Sequence, residues 1–149
     1  LLQCVSSQLG YSSTEEFVDG AVFLDAGSGD GHAVIGMCKA WPSLQRAVGV
    51  EISESRHASA LDTWQTARQH GEIVPDCVGK VRFVCRDVLQ FSWDELLTER
   101  HGVAAGGTNM QSRRLLILTN TLLFPDSVQR AFFERIDTEA DAEDDIFIF

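Results

Sequence analysis

A glycine-rich run with two acidic residues is the segment whose residue types and spacing best suit ligand binding. Its members are consecutive: Asp25, Ala26, Gly27, Ser28, Gly29, Asp30, Gly31 and His32. Glycines let a backbone turn sharply and approach a ligand without a Cβ in the way. A helix that begins directly after such a loop presents unpaired N–H groups, which attract carboxylates and phosphates. The run therefore predicts a loop that holds a small ligand at the start of a helix.

The charge of this run decides between ligands. A P-loop is excluded because no Gly-Lys-Ser/Thr follows, and the dinucleotide spacing G-x-G-x-x-G is altered by Gly31 and His32. Asp25 and Asp30 would repel a pyrophosphate by on the order of several kcal/mol in a partly desolvated site. They would attract an ammonium and a sulfonium. S-adenosylmethionine carries both groups, together with one carboxylate for the helix N-terminus, so the residues favour this cofactor.

Two further acidic residues follow the next two apolar segments. Glu51 lies twenty positions beyond Gly31, where an acidic residue can accept the ribose hydroxyls, and Ile52 can cover one face of an adenine. Asp87 can accept from the adenine amino group, with Val88 packed on the ring. Because open α/β sheets bind ligands at the carboxyl ends of their strands, these residues are expected to share one edge.

The elements that must position these residues alternate between short apolar runs and longer segments with helical spacing, which predicts an α/β fold. Strands are expected at 21–24, 47–50, 81–85, 115–118 and 146–149. Helices are expected at 31–41, ended by Pro42, at 53–70 behind a Ser53 cap, and after a cap at Asp126. Together they predict a doubly wound, Rossmann-like parallel sheet in the order 3-2-1-4-5.

The spacing of apolar residues also predicts which faces of two helices are buried, and local composition predicts two loops. The second helix is expected to pack through Leu61, Trp64 and Ala67, and the third through Val128, Phe132 and Ile136. The segments 102–112 and 138–145 are expected to be loops, the second of them a solvated acidic connection.

Length and composition limit the alternatives. The 149 residues predict a single domain, and the missing initiator Met together with the apolar C-terminal run indicates a piece of a longer protein. A net charge of −10 argues against direct nucleic-acid binding. No apolar run reaches the ~18–20 residues of a membrane span. The four cysteines, at positions 4, 38, 77 and 85, have no zinc spacing, so we expect mostly buried, reduced thiols and no metal.

At these motifs the sequence resembles the class I S-adenosylmethionine-dependent methyltransferases. Within that superfamily it is similar to the Dot1 family of non-SET histone lysine methyltransferases. The segments that carry the closer similarity are 22–31 (VFLDAGSGDG), 48–51 (VGVE), 86–88 (RDV) and 120–125 (NTLLFP). The similarity extends in order over about residues 17–136, and the antiparallel edge strands of the superfamily would follow residue 149.

The resemblance implies a role for each matching position. Asp25 would face the methionine ammonium, and the backbone of 27–31 would line the methionine moiety. Glu51 would hold the ribose, and 87–88 would frame the adenine. Asn120 would be the catalytic residue and would also contact the cofactor, beside the reacting methyl group at the mouth of the channel that admits a lysine. The substrate implied is histone protein in nucleosomes, and the location implied is the nucleus.

The chain departs from the family at three of these places. His32 stands where the family has Gln, Val88 where it has Phe, and the family's Asn-Asn-Phe-Ala-Phe is Asn-Thr-Leu-Leu-Phe at 120–124. Leu122 and Phe124 can still supply an apolar channel wall. Such a wall favours the neutral amine that methyl transfer needs.

Three other functions remain open. One is methylation of a small molecule or another non-histone acceptor. Another is a non-catalytic cofactor-binding module, a hypothesis that the three altered positions suggest. The least favoured hypothesis is a dehydrogenase, which tight binding of NAD would support.

Overall fold

Five parallel strands form one sheet in the computed structural model, which describes residues 2–92, 113–119, 124–139 and 144–149. The strands are β1 (Val22–Ala26), β2 (Arg46–Glu51), β3 (Val81–Cys85), β4 (Arg113–Thr119) and β5 (Asp144–Ile148). Their order is β3-β2-β1-β4-β5, and each neighbouring pair is parallel. The predicted fold class and strand order are confirmed.

Five α-helices connect or flank these strands within the described residues. They are α1 (Leu2–Gln8), α2 (Thr14–Val18), α3 (His32–Ala40), α4 (Glu54–Gln69) and α5 (Asp126–Glu139). Two short 3-10 helices span Pro75–Cys77 and Val88–Gln90. No described helix combines the length and the apolar character needed to cross a bilayer.

The central strand β1 is buried along its whole length, so it separates two apolar cores. Val22, Leu24 and Ala26 contribute to the core beneath α5, whereas Phe23 contributes to the core on the α3 side. Alternate residues of a strand point to opposite faces, which explains this division. Its carboxyl end is therefore held in a fixed position between the two neighbouring strands.

Several predicted details of the helices need correction. Leu61 is 46% exposed, and α4 instead packs through Ala60 and Ala67. Ala60 comes within 3.1 Å of where a Cβ on Gly31 would be, so only a small side chain fits this face of the helix. Asp126 is the first residue of α5 and not its cap. The Ser53 cap is confirmed, because its side chain accepts from Arg56 N.

The predicted loops and cysteines agree with the structure only in part. Residues 138–139 belong to α5 and 144–145 to β5, so the expected acidic connection is shorter than predicted. The expected loop 102–112 lies outside the described residues. All four thiols are free, but only Cys38 and Cys77 are buried.

Helices α1 and α2 were not predicted, although the sequence contains a signal for the second. Ser13 caps α2 by accepting from Glu16 N, and the Glu16 carboxylate accepts in turn from Ser12 N at 2.9 Å. This arrangement resembles a capping box, whose Ser-x-x-Glu pattern is present at 13–16. Arg114 of β4 then holds the end of α2 by donating to the Phe17 carbonyl at 2.5 Å.

Close packing around Gly49 predicts a large difference between two glycine substitutions. A Cβ on Gly49 would lie 2.7 Å from Ser28 Oγ and 2.9 Å from the Phe83 ring, whereas one on Gly36 of α3 would meet nothing within 4 Å. We expect Gly49→Ala to lower the free energy of unfolding by about 1–3 kcal/mol through overpacking. Gly36→Ala should raise it by up to about 1 kcal/mol through helix propensity. Urea unfolding of both variants measures this, and equal effects would contradict the packing described.

Candidate functional site

The glycine-rich loop between β1 and α3 is held in one shape by backbone hydrogen bonds, both to β2 and within the loop. Gly27 N and Ser28 N both donate to the Val50 carbonyl, at 2.9 and 3.1 Å, and Gly31 N donates to the Ser28 carbonyl at 2.9 Å. Gly27, Gly29 and Gly31 have φ values of 85°, 54° and 80°. These left-handed conformations strain residues that carry a Cβ, so the alternate glycines are required by the turn itself.

Glu51 ties this loop to the end of β2. Its Oε2 accepts from Gly29 N at 2.9 Å and its Oε1 accepts from Ser53 N at 2.8 Å, while only 5% of the residue is exposed. The sequence predicted a ligand-binding carboxylate here, but it did not predict that the carboxylate also anchors the loop. A carboxylate has about four lone-pair sites, so two bonds to the backbone leave capacity for ribose hydroxyls.

Asp25 is the buried charge that the site leaves uncompensated. It is 7% exposed, and burial, followed by the nearby charge of Glu51, raises the pKa of its carboxyl from 3.8 to about 6. Neither a hydrogen bond nor a cation from the described residues offsets this burial. A ligand that brings a positive group to Asp25 would supply the missing partner.

The residues predicted to frame an adenine lie in different surroundings. Asp87 is half-buried, and its Oδ1 accepts from Leu89 N at 2.9 Å, so it caps the 3-10 helix Val88–Gln90. Ile52 is 68% exposed and is available to cover a ring. Val88 is only 8% exposed because it packs into the core beneath α5. Most of its surface therefore contacts the protein, and only an edge is left for a ligand.

Phe124 lies over the glycine-rich loop. A Cβ on Gly27 would come within 3.3 Å of two atoms of the Phe124 ring. The Phe124 carbonyl accepts from the Gln129 side chain at 2.9 Å, which fixes this aromatic residue to the first turn of α5. The residue predicted as a channel wall is thus placed beside the predicted methionine site. Asn120 and Leu122, predicted as the catalytic residue and a second wall residue, lie outside the described residues.

The remaining predicted residues divide between the surface and the interior. His32 Nε2 lies 3.5 Å from Asp30 Oδ2, and the side chains of His32 and Asp30 are 75% and 59% exposed. His32 is the first residue of α3, so it contributes its backbone to the start of this helix while its side chain lies at the surface. Ala26 is buried at the end of β1. Ser28 Oγ is buried without a hydrogen-bond partner among the described residues, beside Gly49.

One residue at this edge was missed by sequence reasoning. Arg135 of α5 donates to the carbonyl groups of Val88, Leu89 and Phe91, which belong to or follow the turn after Asp87. The only signal in the sequence was the spacing of Arg135 and Glu139, which is typical of an ordinary ion pair on a helix surface. Nothing in that spacing indicates contact with a loop 44 or more positions earlier in the chain.

Comparison with known proteins yields similarity of structure without similarity of sequence. No family model and no curated protein matches the chain. Among solved structures, PKMT2 from Rickettsia typhi in complex with AdoHcy is 15% identical with a TM-score of 0.55, over 88% of this chain and 21% of that one. The methyltransferase domain of bacterial CtHen1 is 13% identical with a TM-score of 0.58, over 99% of this chain and 62% of that one.

A third solved structure, the glycopeptide N-methyltransferase MtfA, is 12% identical with a TM-score of 0.50, over 94% of this chain and 51% of that one. The chain thus spans between about a fifth and three fifths of the length of these three structures. At such low sequence identities these similarities establish the fold alone. The chain has the Rossmann-like α/β fold of methyltransferases.

The burial of Asp25 predicts a gain in stability when its charge is removed. Because the pKa is raised, the free energy of unfolding falls as pH rises from 3.8 to about 6, by about 3 kcal/mol in total. We expect Asp25→Asn to recover about 2–3 kcal/mol at pH 7 and little at pH 4. The measurement is urea unfolding of both proteins at the two pH values.

Asp30→Asn is the matched control for this prediction. It removes the same charge from the same loop, at a side chain that is 59% exposed. We expect it to change the free energy of unfolding by less than about 0.5 kcal/mol. A destabilising effect of Asp25→Asn at pH 7 would show that the buried carboxylate has a partner within the protein.

Proposed function

We propose that this chain binds S-adenosylmethionine and forms the cofactor-binding part of a methyltransferase. The observation that carries the proposal is the buried, uncompensated carboxylate of Asp25 beside the glycine-rich loop. A dinucleotide would bring phosphates toward that carboxylate, whereas the methionine end of S-adenosylmethionine brings an ammonium. One solved protein of the same fold, PKMT2 from Rickettsia typhi, is in complex with AdoHcy, the demethylated form of this cofactor.

The described residues suit each part of the cofactor. Asp25 would pair with the ammonium, and the start of α3 would accept the carboxylate, since helix N-termini stabilise anions. Glu51 would accept from the ribose hydroxyls while keeping the loop in place. Ile52 and Asp87 would bind the adenine, the first by covering a face and the second by accepting from the amino group. The cofactor itself supplies the electrophilic methyl group.

The task left to the protein is to position and desolvate the acceptor. Methyl transfer is an in-line displacement, which requires the nucleophile at about 3–3.5 Å from the methyl carbon. An amine acceptor must be neutral, and an apolar wall lowers its pKa by desolvation. Phe124 supplies part of such a wall, because its ring lies over Gly27. Asn120 is neutral, so its proposed role is to orient the acceptor and not to act as a base.

For the acceptor we propose histone lysine, as in the Dot1 family, with a nuclear location. This finer assignment is supported by sequence motifs alone, above all by 120–125, which resembles the family's segment beside the reacting methyl group. The acidic balance of the chain suits a basic protein substrate. A small molecule or a peptide is the second candidate acceptor, since a protein of the same fold is a glycopeptide N-methyltransferase.

Cofactor binding is expected to depend on the ionised form of Asp25. With a pKa of about 6, roughly a tenth of the carboxyl is ionised at pH 5, so affinity should be about tenfold lower there than at pH 7. Asp25→Asn should bind at least about tenfold more weakly at pH 7 and show no such pH dependence. Titration calorimetry with S-adenosylmethionine measures both effects.

Asp137→Asn controls for the loss of one charge, because Asp137 is an exposed residue of α5 and is not part of the glycine-rich loop. It should bind as the unmodified protein does at both pH values. If the unmodified protein binds NAD tightly and S-adenosylmethionine not at all, the proposed cofactor is wrong.

The acceptor is tested with the full-length protein and cofactor labelled in its methyl group. We expect label on core histones in nucleosomes, and a loss of at least about a hundredfold in the rate at saturating cofactor for Asn120→Ala. Free core histones, a glycopeptide and small amines are the comparison acceptors. Label confined to one of these would replace histone by that acceptor. Cofactor binding without turnover on any of them would favour a non-catalytic module.

A further inference from the structure

The guanidinium of Arg135 is shared between the turn after Asp87 and a carboxylate on its own helix. Nη1 donates to the Val88 carbonyl at 3.2 Å and to the Leu89 carbonyl, and Nη2 donates to the Phe91 carbonyl at 2.9 Å. Nε and Nη2 also donate to the two oxygens of Glu139, each at 2.8 Å. We call this set of bonds, from Arg135 to the three carbonyls and Glu139, the Arg135 clasp.

The clasp meets a need that a short turn creates. The carbonyls of a three-residue 3-10 helix have no partners within the helix, and such groups are costly to leave unpaired near a core. At the other end of the same turn, Asp87 accepts from Leu89 N through its side chain and from Gln90 N through its carbonyl, both at 2.9 Å. Both ends of the turn are therefore fixed, one by Asp87 and the other by Arg135.

Packing adds to the same restraint. Val88 and Phe91 are 8% and 1% exposed, and they belong to one apolar core with Phe132 and Ile136 of α5. Because Phe132 and Ile136 lie next to Arg135 on the helix, the turn contacts α5 through both apolar and polar groups. A displacement of the turn would have to break both at once.

The charge of the clasp is balanced locally. Glu139 takes the two guanidinium hydrogens that face away from the turn, and these hydrogen bonds lower the pKa of the Glu139 carboxyl. The arginine therefore adds little net charge beside Asp87. Its effect on a ligand is expected to come from geometry, because the five donors of a planar guanidinium can bond three carbonyls and a carboxylate at once, whereas an ammonium has three donors on a single atom.

We infer that Arg135 is a positioning residue for the adenine end of the cofactor, which it affects by fixing Asp87 and the backbone behind it. This inference rests on the proposed function. A hydrogen bond from the adenine amino group requires the Asp87 carboxylate at one place and angle, since such bonds weaken steeply when misaligned. Without the clasp, the Asp87 side chain would still be present but would no longer be held in that place.

The test uses two ligands that differ only at the adenine amino group. S-adenosylhomocysteine has this group, whereas the analogue in which purine replaces adenine has a hydrogen in its place and keeps the same ring nitrogens, so the ratio of their Kd values measures recognition of the amino group by Asp87. For the unmodified protein we expect a ratio of about tenfold or more. For Arg135→Lys and Arg135→Gln we expect it to fall below about threefold, mainly because S-adenosylhomocysteine binds more weakly. General damage would weaken both ligands and leave the ratio as it was.

Two variants of α5 serve as controls. Arg130→Lys makes the same substitution at an exposed position of the helix, and Glu139→Gln removes the carboxylate charge while leaving the three carbonyl bonds in place. Both should keep the ratio of the unmodified protein. A ratio unchanged in the Arg135 variants would overturn the inference. So would loss of the folded state in both, because the arginine would then act on the whole domain.

Amide hydrogen exchange in the protein without ligand separates this inference from the proposed function. The amides of Leu89 and Gln90 are bonded to Asp87, so their exchange reports on the turn itself. We expect exchange at both to be about tenfold faster in Arg135→Lys and unchanged in Arg130→Lys. If this is seen while the unmodified protein binds neither ligand, the clasp stands as a restraint on the turn and the proposed cofactor is wrong. Unchanged exchange would overturn the clasp.

Discussion

Two buried carboxylates near the carboxyl ends of neighbouring strands, Asp25 and Glu51, set the constraint on which this site depends. Both lie at strand ends between neighbouring strands, where water reaches them poorly, and their charges oppose each other. Glu51 is stabilised by two backbone amides, one of which belongs to the glycine-rich loop. Asp25 has no such help among the described residues. Glu51 therefore holds the loop in place, whereas the Asp25 carboxylate remains available to pair with a cation.

Under the proposed function, this arrangement would lead a nucleotide-binding fold to prefer a cationic ligand. Helix N-termini and glycine-rich loops attract anions in general, and phosphates are their commonest ligands in α/β proteins. In this protein the buried Asp25 lies directly before the loop. Its carboxylate would repel a phosphate at the place where the backbone N–H groups attract one. A zwitterion with its ammonium toward Asp25 and its carboxylate toward the helix satisfies both. The free energy that the burial of Asp25 costs the folded protein would then be recovered when a cation binds.

The sequence predicted the parts of this protein that local patterns determine. Five apolar runs predicted the strands, because parallel sheets need apolar strands separated by helices. The doubly wound fold expected of this pattern predicted their order, and Ser53 predicted the start of α4. The prediction that Leu61 is buried was wrong. Periodicity alone does not show that α4 lies so close to Gly31 that only a small residue, Ala60, fits between them. The second role of Glu51 was also hidden, since a bond to Gly29 depends on how two strands meet.

Arg135 marks the limit of sequence reasoning in this fold. Its partners are carbonyl groups, which every residue has, so no residue type near Val88 indicates that an arginine is bound there. Only the packing of α5 against the turn brings them together, through Phe132 and Ile136. Gln129 acts similarly on Phe124 at the start of the same helix. One amphipathic helix thereby fixes both the aromatic residue over the glycine-rich loop and the turn that carries Asp87. The distance between these two groups is consequently set by the length and rigidity of α5 and not by the loops themselves.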